Sequence, residues 1–304
     1  MTPKKETVLF KDILESREWK ESRAALPIAL GRDMNGNALV KDLTKLRNVL
    51  IAGIANSGKT NCVSVIINSL LYSRSPEDLR LLMFDPAGVE LKIYNLSPHM
   101  LAPVETDPRK TSAFLEWLVG EMERRFEVFK KERVRNIEKF NEKIAAQSAA
   151  QSTAETPIAK LPYIVCVINE LADSMCIAGE EAELHLAILA QLSYAAGIHL
   201  IVATRHPDPK ILTDFIKNDF PTRVAFKVSS QVDSVMILGR EGAERLPSCG
   251  DMLFMDSESS EPIRAQSAHI GDSETQAAVA ALKANGTPEY CKELLSFVKA
   301  KSNK

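Results

Sequence analysis

Eight consecutive residues carry the most specific chemistry in this sequence. Gly53, Ile54, Ala55, Asn56, Ser57, Gly58, Lys59 and Thr60 fit G-x-x-x-x-G-K-[ST], directly after the apolar run LRNVLIAG and directly before NCVSVIINSLLY. In a strand-loop-helix setting that pattern is a phosphate cradle. Glycines let backbone amides approach phosphate oxygens, and the start of the helix adds its partial positive charge. Lys59 reaches the outer phosphates, Thr60 offers its hydroxyl to Mg²⁺, and Asn61 follows in the same turn. The implied ligands are ATP and Mg²⁺. Hydrolysis needs two further parts, a group that positions the metal and one that activates water.

The stretch Tyr163 to Asp173, YIVCVINELAD, is the candidate for both. It opens as a buried apolar strand and ends in Asn169-Glu170. Glu170 is a carboxylate placed to polarise an attacking water. Asn169 keeps a carbonyl acceptor at the metal-facing place but carries no charge. A charge-assisted hydrogen bond is worth about 1.5–3 kcal/mol against about 1 for a neutral one, so the missing charge weakens Mg²⁺ coupling about tenfold without abolishing it.

These residues need a scaffold that presents strand ends side by side. Short apolar runs alternate with helical patterns, which predicts an α/β fold with a mostly parallel central sheet flanked by helices. The strand candidates are LRNVLIAG, LRLLMFD (79–85), YIVCVI (163–168), IHLIVAT (198–204) and TRVAFKV (222–228). Between them, Phe114, Leu115, Leu118, Val119, Met122, Phe126 and Phe129 form one stripe of a long helix. Residues 145–160, AAQSAAQSTAETPIAK, are small and polar and read as a mobile exposed insertion. The expected organisation is a lead-in segment over 1–45 packed on the core, a motor core over 46–272, and a C-terminal helix with a Lys-rich tail over 273–304.

With 304 residues, 38 basic and 40 acidic, the chain shows no global charge signature of a nucleic-acid binder, so any basic surface must be local. Five cysteines, odd in number and without CxxC spacing, fit a reduced cytoplasmic setting. No apolar run approaches the roughly 18–20 residues that span a bilayer, and MTPKKETVLF lacks the core of a signal peptide, so the chain reads as soluble. His99, His185, His199 and His206 lack metal-ligand spacing, and His199 reads as packing at a strand start. Trp19 and Trp117 belong to amphipathic runs, as core or rim. The run ERRFEVFKKERVR reads as the solvated face of the long helix.

Ordered phrases from about residue 8 to 290 resemble the motor domain of the FtsK/SpoIIIE family of double-stranded DNA translocases. They include LGRDMNGNALVKDL, LIAGIANSGKT, DPAGVELKIYNLSPHML, EMERRFEVF, LPYIVCVINELAD, AAGIHLIVATRHP, PTRVAFKVSSQVDS and GAERLPSCGDMLF. The resemblance implies a RecA-like P-loop NTPase fold and a ring of six subunits around a DNA duplex. It also implies ATP-driven translocation of chromosomal DNA at cell division or sporulation. Lys59, Thr60, Glu170, Asp173 and Arg223 match the family pattern, with Arg223 among the expected catalytic positions. Other positions depart from it: Asn169 stands for Asp, Ala87 for Lys, Tyr194 and Val235 each for Arg, and Arg205-His206-Pro207 for Gln-Arg-Pro. A guanidinium at 205 only donates hydrogen bonds, where glutamine also accepts, so it stabilises the γ-phosphate electrostatically but handles water differently. Three readings stay open: an active DNA translocase, a nucleotide-binding pseudoenzyme or scaffold with little turnover, and an FtsK-like protein-secretion ATPase. The family's N-terminal membrane helices and DNA-reading winged helix have no counterpart in these residues.

Overall fold

Strands buried on both faces must be apolar almost without interruption, and that is how the centre of the sheet is written. The computed structural model describes residues 7–149, 159–205, 207–208, 214–257, 259, 261–284 and 286–302. Among the described residues the strands are β1 (Pro27–Asp33), β2 (Ala38–Asp42), β3 (Val49–Ala52), β4 (Leu79–Phe84), β5 (Tyr163–Asn169), β6 (Ile198–Thr204), β7 (Thr222–Ala225), β8 (Asp251–Met255) and β9 (Ile263–Ser267). They form one sheet in the order β2-β1-β9-β8-β7-β3-β6-β5-β4.

The five expected strands are the parallel half, β7-β3-β6-β5-β4. Their side chains alternate between two cores with the period of two that a pleated strand imposes. Leu50, Leu82, Cys166, Ile168 and Val202 face a layer that includes helix Thr111–Glu132. Val49, Leu81, Met83, Val165 and Ile201 face the layer of helix Lys59–Ser73. The long helix buries Phe114, Leu115, Leu118, Met122 and Phe129, with Val119 and Phe126 half-covered against the same core.

The α/β, RecA-like class therefore stands, while the sheet as a whole is mixed. Strands β8, β9, β1 and β2 extend it antiparallel, and the N-terminal segment is built into the sheet through β1 and β2. Three further expectations are corrected. Residues 145–149 continue helix Ile137–Ala149, residues 150–158 of the expected insertion lie outside the described residues, and residues 159–160 are exposed. The Lys-rich tail is helical over Lys292–Ser302 and buries Leu294 and Val298 in the main core. The run ERRFEV is not wholly solvated: Arg125 is buried, donating to Glu121 Oε1 at 2.8 Å and to the Ala196 carbonyl at 2.8 Å.

His199 packs at the start of β6 as expected, with Nδ1 3.0 Å from the Arg47 carbonyl oxygen. Trp19 and Trp117 are half-buried at the edges of cores. Among the described residues, no helix is long and apolar enough to cross a membrane.

Candidate nucleotide site

Strand order creates the site. From β3 the chain crosses to the far edge at β4, then returns through β5 and β6 to lie beside β3, and β7 takes its other flank. In open parallel sheets, ligands bind at the carboxyl ends of the strands where the order reverses. Those ends here carry Gly53 after β3, Asp85 after β4, Asn169-Glu170 at β5, Thr204-Arg205 at β6 and Phe226 after β7.

The loop from Gly53 to Gly58 is pinned to its neighbours. Gly53 N–H donates to the Thr204 carbonyl and Ile54 N–H to that of Lys227, while Ser57 closes a turn on the Ile54 carbonyl. Gly58 has φ +116°, and a Cβ there would sit 2.7 Å from Gly250 Cα. Only glycine fits that approach. The helix Lys59–Ser73 begins immediately after, so its first amides have no intrahelical acceptor, and its first three residues line a cavity. That cavity, about 870 Å³, is lined by loop residues including Ala55 and Asn56, by Lys59, Thr60, Glu90 and Arg205, and by Gln266 on its far wall. Asn61 braces the helix start to the segment after β9, with Nδ2 donating to the Ile270 carbonyl at 2.7 Å.

Glu170 is the hub. It sits at φ +67°, ψ +77°, a left-handed conformation that costs a non-glycine residue of order 1–2 kcal/mol and recurs at functional sites. Its buried carboxylate accepts from Thr204 Oγ1 at 3.1 Å and from the Arg205 amide at 3.0 Å. Arg205 Nε lies 2.9 Å from Oε2, and Lys59 Nζ lies 3.8 Å from the same oxygen. Burial pushes the Lys59 ammonium below its usual pKa, opposed by the charges of Glu170 and Glu90.

A second cluster adjoins it. Asn169 Nδ2 donates to Glu90 Oε2 at 2.7 Å and lies 3.4 Å from Asp85 Oδ1, and Thr60 Oγ1 donates to Glu90 Oε1 at 3.1 Å. Asp85 is fully buried and its other oxygen accepts the amides of Glu90 and Leu91. Asn169 Oδ1 is buried without a partner. Thr60, Asn169 and two nearby carboxylates are a donor set that suits Mg²⁺, which binds few protein oxygens and completes its shell with water and phosphate.

The structure thus unites Gly53 through Asn61, Asn169, Glu170 and Arg205. It does not unite them with Arg223, whose guanidinium is spent on the carbonyls of Lys217, Phe220 and Ile237, so this chain's own site does not include it. His206 lies outside the described residues. Glu90, Asp85 and Thr204 were not singled out from sequence. The first two lie in the phrase DPAGVEL, where nothing local marks a carboxylate as facing a loop 30 residues upstream.

A glycine-rich loop between a strand and a helix, with carboxylate-bearing strand ends beside it, defines a P-loop nucleotide-binding protein; as a class these bind nucleotide together with a divalent metal. The sequence model described as the FtsK/SpoIIIE family matches residues 9–210. The chain belongs to that family. It is 44% identical to the DNA translocase FtsK of Clostridium tetani over 93% of its length and 42% identical to that of Haemophilus influenzae over 96%, spanning 37% and 58% of those proteins. The fold is shared with the pCW3 conjugation coupling protein TcpA, solved with ATPγS (TM-score 0.72, 24% identity), which aligns over 86% of this chain and 72% of its own. It is also shared with the type VII secretion ATPase EccC of Thermomonospora curvata (0.72, 19%), over 88% and 32% respectively.

Proposed function

We propose that this chain is the ATP-binding motor unit of a double-stranded DNA translocase, acting in the cytoplasm as a homo-oligomeric ring of six. Family membership and close relatives named as DNA translocases support the cargo. The observation that carries the motor reading is the meeting of Lys59, Thr60 and Glu170 at one switch point. In this reading the backbone of residues 53–60 and Lys59 hold the β- and γ-phosphates, and Thr60 and Asn169 face the metal. Bound there, Mg²⁺ would neutralise charge that develops on the phosphates. Glu170 accepts a proton from the attacking water. Arg205 and Lys59 both contact this carboxylate; a γ-phosphate, with more negative charge, would compete for both cations.

The 2.9 Å Arg205–Glu170 pair and the neutral Asn169 favour a second reading, a nucleotide-binding subunit with little turnover. Likeness to secretion ATPases at 18–19% identity concerns fold alone and says nothing of cargo.

The decisive test is phosphate release with Mg²⁺, with and without long duplex DNA. The motor reading expects DNA-stimulated release that Lys59→Ala abolishes. Release equal to that of Lys59→Ala, alongside retained nucleotide binding, selects the second reading.

A further inference from the structure

Residue 169 lacks the charge that would anchor a metal, yet the space beside it is acidic. Glu90, half-buried in the loop after β4, places one carboxylate oxygen on the Thr60 hydroxyl and the other on the Asn169 amide. It therefore spans the two residues between which the P-loop reading puts the metal. Its position is imposed by the backbone: Asp85 Oδ2 accepts the amides of Glu90 and Leu91, and the Gly88 amide donates to the Asp85 carbonyl oxygen. We infer that Glu90 supplies the metal-anchoring charge that Asn169 does not, so that Thr60, Glu90 and the Asn169 carbonyl together hold the divalent ion, backed by Asp85.

Two observations support this independently. Asn169 is 3% exposed, its amide nitrogen lies against both carboxylates, and its oxygen has no partner. A buried acceptor left open beside two acids is a place for a cation. The second is the identity of residue 169 itself. Its amide donates toward Asp85 and Glu90; an aspartate would place a third carboxylate against those two with no donor among them. Asparagine instead donates to the acidic pair, and the hydroxyl of Thr60, donating its own proton to Glu90, keeps its lone pairs for the ion.

This inference rests on the P-loop binding nucleotide, and the experiment separates the two. The affinity of the full chain for a fluorescent, non-hydrolysable ATP analogue is measured across a Mg²⁺ titration starting in chelator. Wild type, Glu90→Gln, Glu90→Asp, Asn169→Asp and Lys59→Ala are compared, each checked by a thermal melt. Glu90→Gln is expected to raise the Mg²⁺ midpoint about tenfold while still binding analogue in chelator, as expected for loss of one charge-assisted contact. Glu90→Asp keeps the charge and stays within about threefold of wild type. Asn169→Asp lowers the midpoint and melts earlier than wild type in chelator, where its third carboxylate is uncompensated. A Glu90→Gln midpoint equal to wild type overturns the inference alone, as does Glu90→Asp behaving like Glu90→Gln. Wild type that binds no analogue at any Mg²⁺ concentration, like Lys59→Ala, overturns the nucleotide reading and this one with it.

Discussion

Glu170 carries most of the consequences at the scale of single residues. In the proposed motor reading Glu170 is the base, and a base must be free to accept a proton; here a guanidinium and an ammonium share one of its oxygens. Arg205 is partly exposed, so solvent weakens the pair, yet a hydrogen bond to a charged group still holds about 1.5–3 kcal/mol where the acceptor is buried. Arg205→Gln is expected to raise the rate of phosphate release about tenfold in single-turnover experiments, with nucleotide affinity somewhat reduced. An unchanged rate would show that Arg205 does not restrain Glu170. His199 gives a pH signature of its own. Burial depresses its pKa to about 4 from an ordinary 6.5, only partly opposed by the Arg47 carbonyl and Asp42. Above pH 6.5 both folded and unfolded chains carry it neutral. Between 6.5 and about 4 the unfolded chain takes a proton that the folded chain refuses, so stability falls as pH falls, by on the order of 3 kcal/mol. Urea titrations at pH 7 and pH 5 should show this slope, and His199→Leu should flatten it; an equal slope in both proteins would place the titration elsewhere.

At the scale of elements, the helix Thr111–Glu132 combines an expected apolar stripe with an unexpected ion pair. Arg125 is 1% exposed, and its guanidinium joins Glu121 to the Ala196 carbonyl beside β6. Desolvating both charges offsets most of their attraction, but removing one leaves the other buried. Arg125→Ala is expected to cost about 3–5 kcal/mol, and Arg125→Met markedly less because its length fills the space, although the Ala196 carbonyl loses its donor. Denaturant midpoints check both. Equal costs would mean that the lost charge pairing with Glu121, not lost volume, is what the helix feels. The P-loop shows the same dependence on neighbours: the left-handed turn at Gly58 is packed on Gly250, which lies on the lead into β8. The antiparallel half of the sheet thus supports the phosphate loop of the parallel half.

At the scale of the whole molecule, a net charge of −2 means that DNA is not held by overall attraction. In the translocase reading proposed above, grip would come from local basic surface repeated around a ring, and backbone contacts of that kind release counterions. Retention of long duplex DNA is expected to fall at least about a hundredfold between 50 and 200 mM salt, without preference for base sequence. Sedimentation with DNA should find a sixfold particle. A protein that stays monomeric and ignores DNA at low salt would remove the translocase reading and leave the nucleotide site intact.

Local order was written plainly in the chain. The phosphate loop needs a particular string of residues with glycines where the backbone crowds, so its identity survives in eight letters. Strands β3, β4, β5 and β6 are almost entirely buried on both faces and are apolar with few interruptions, which made them readable. Strands β8, β9, β1 and β2 were not read: β9 alternates Arg264 and Gln266 with buried Ala265 and Ser267, and its short pattern resembles a loop. The hairpin between β1 and β2 did leave a signal, the Asn35-Gly36 turn with Gly36 at φ +87°. What no local pattern carries is which charges meet. Thr60 reaches Glu90 across 30 positions, Glu90 reaches Asn169 across 79, and Glu170 reaches Thr204 across 34. Those meetings follow from the order of strands in the sheet. Strand order is set by how apolar faces and crossover helices pack across the entire core, so the partners of Glu170 and Asn169 emerged only once the chain was folded.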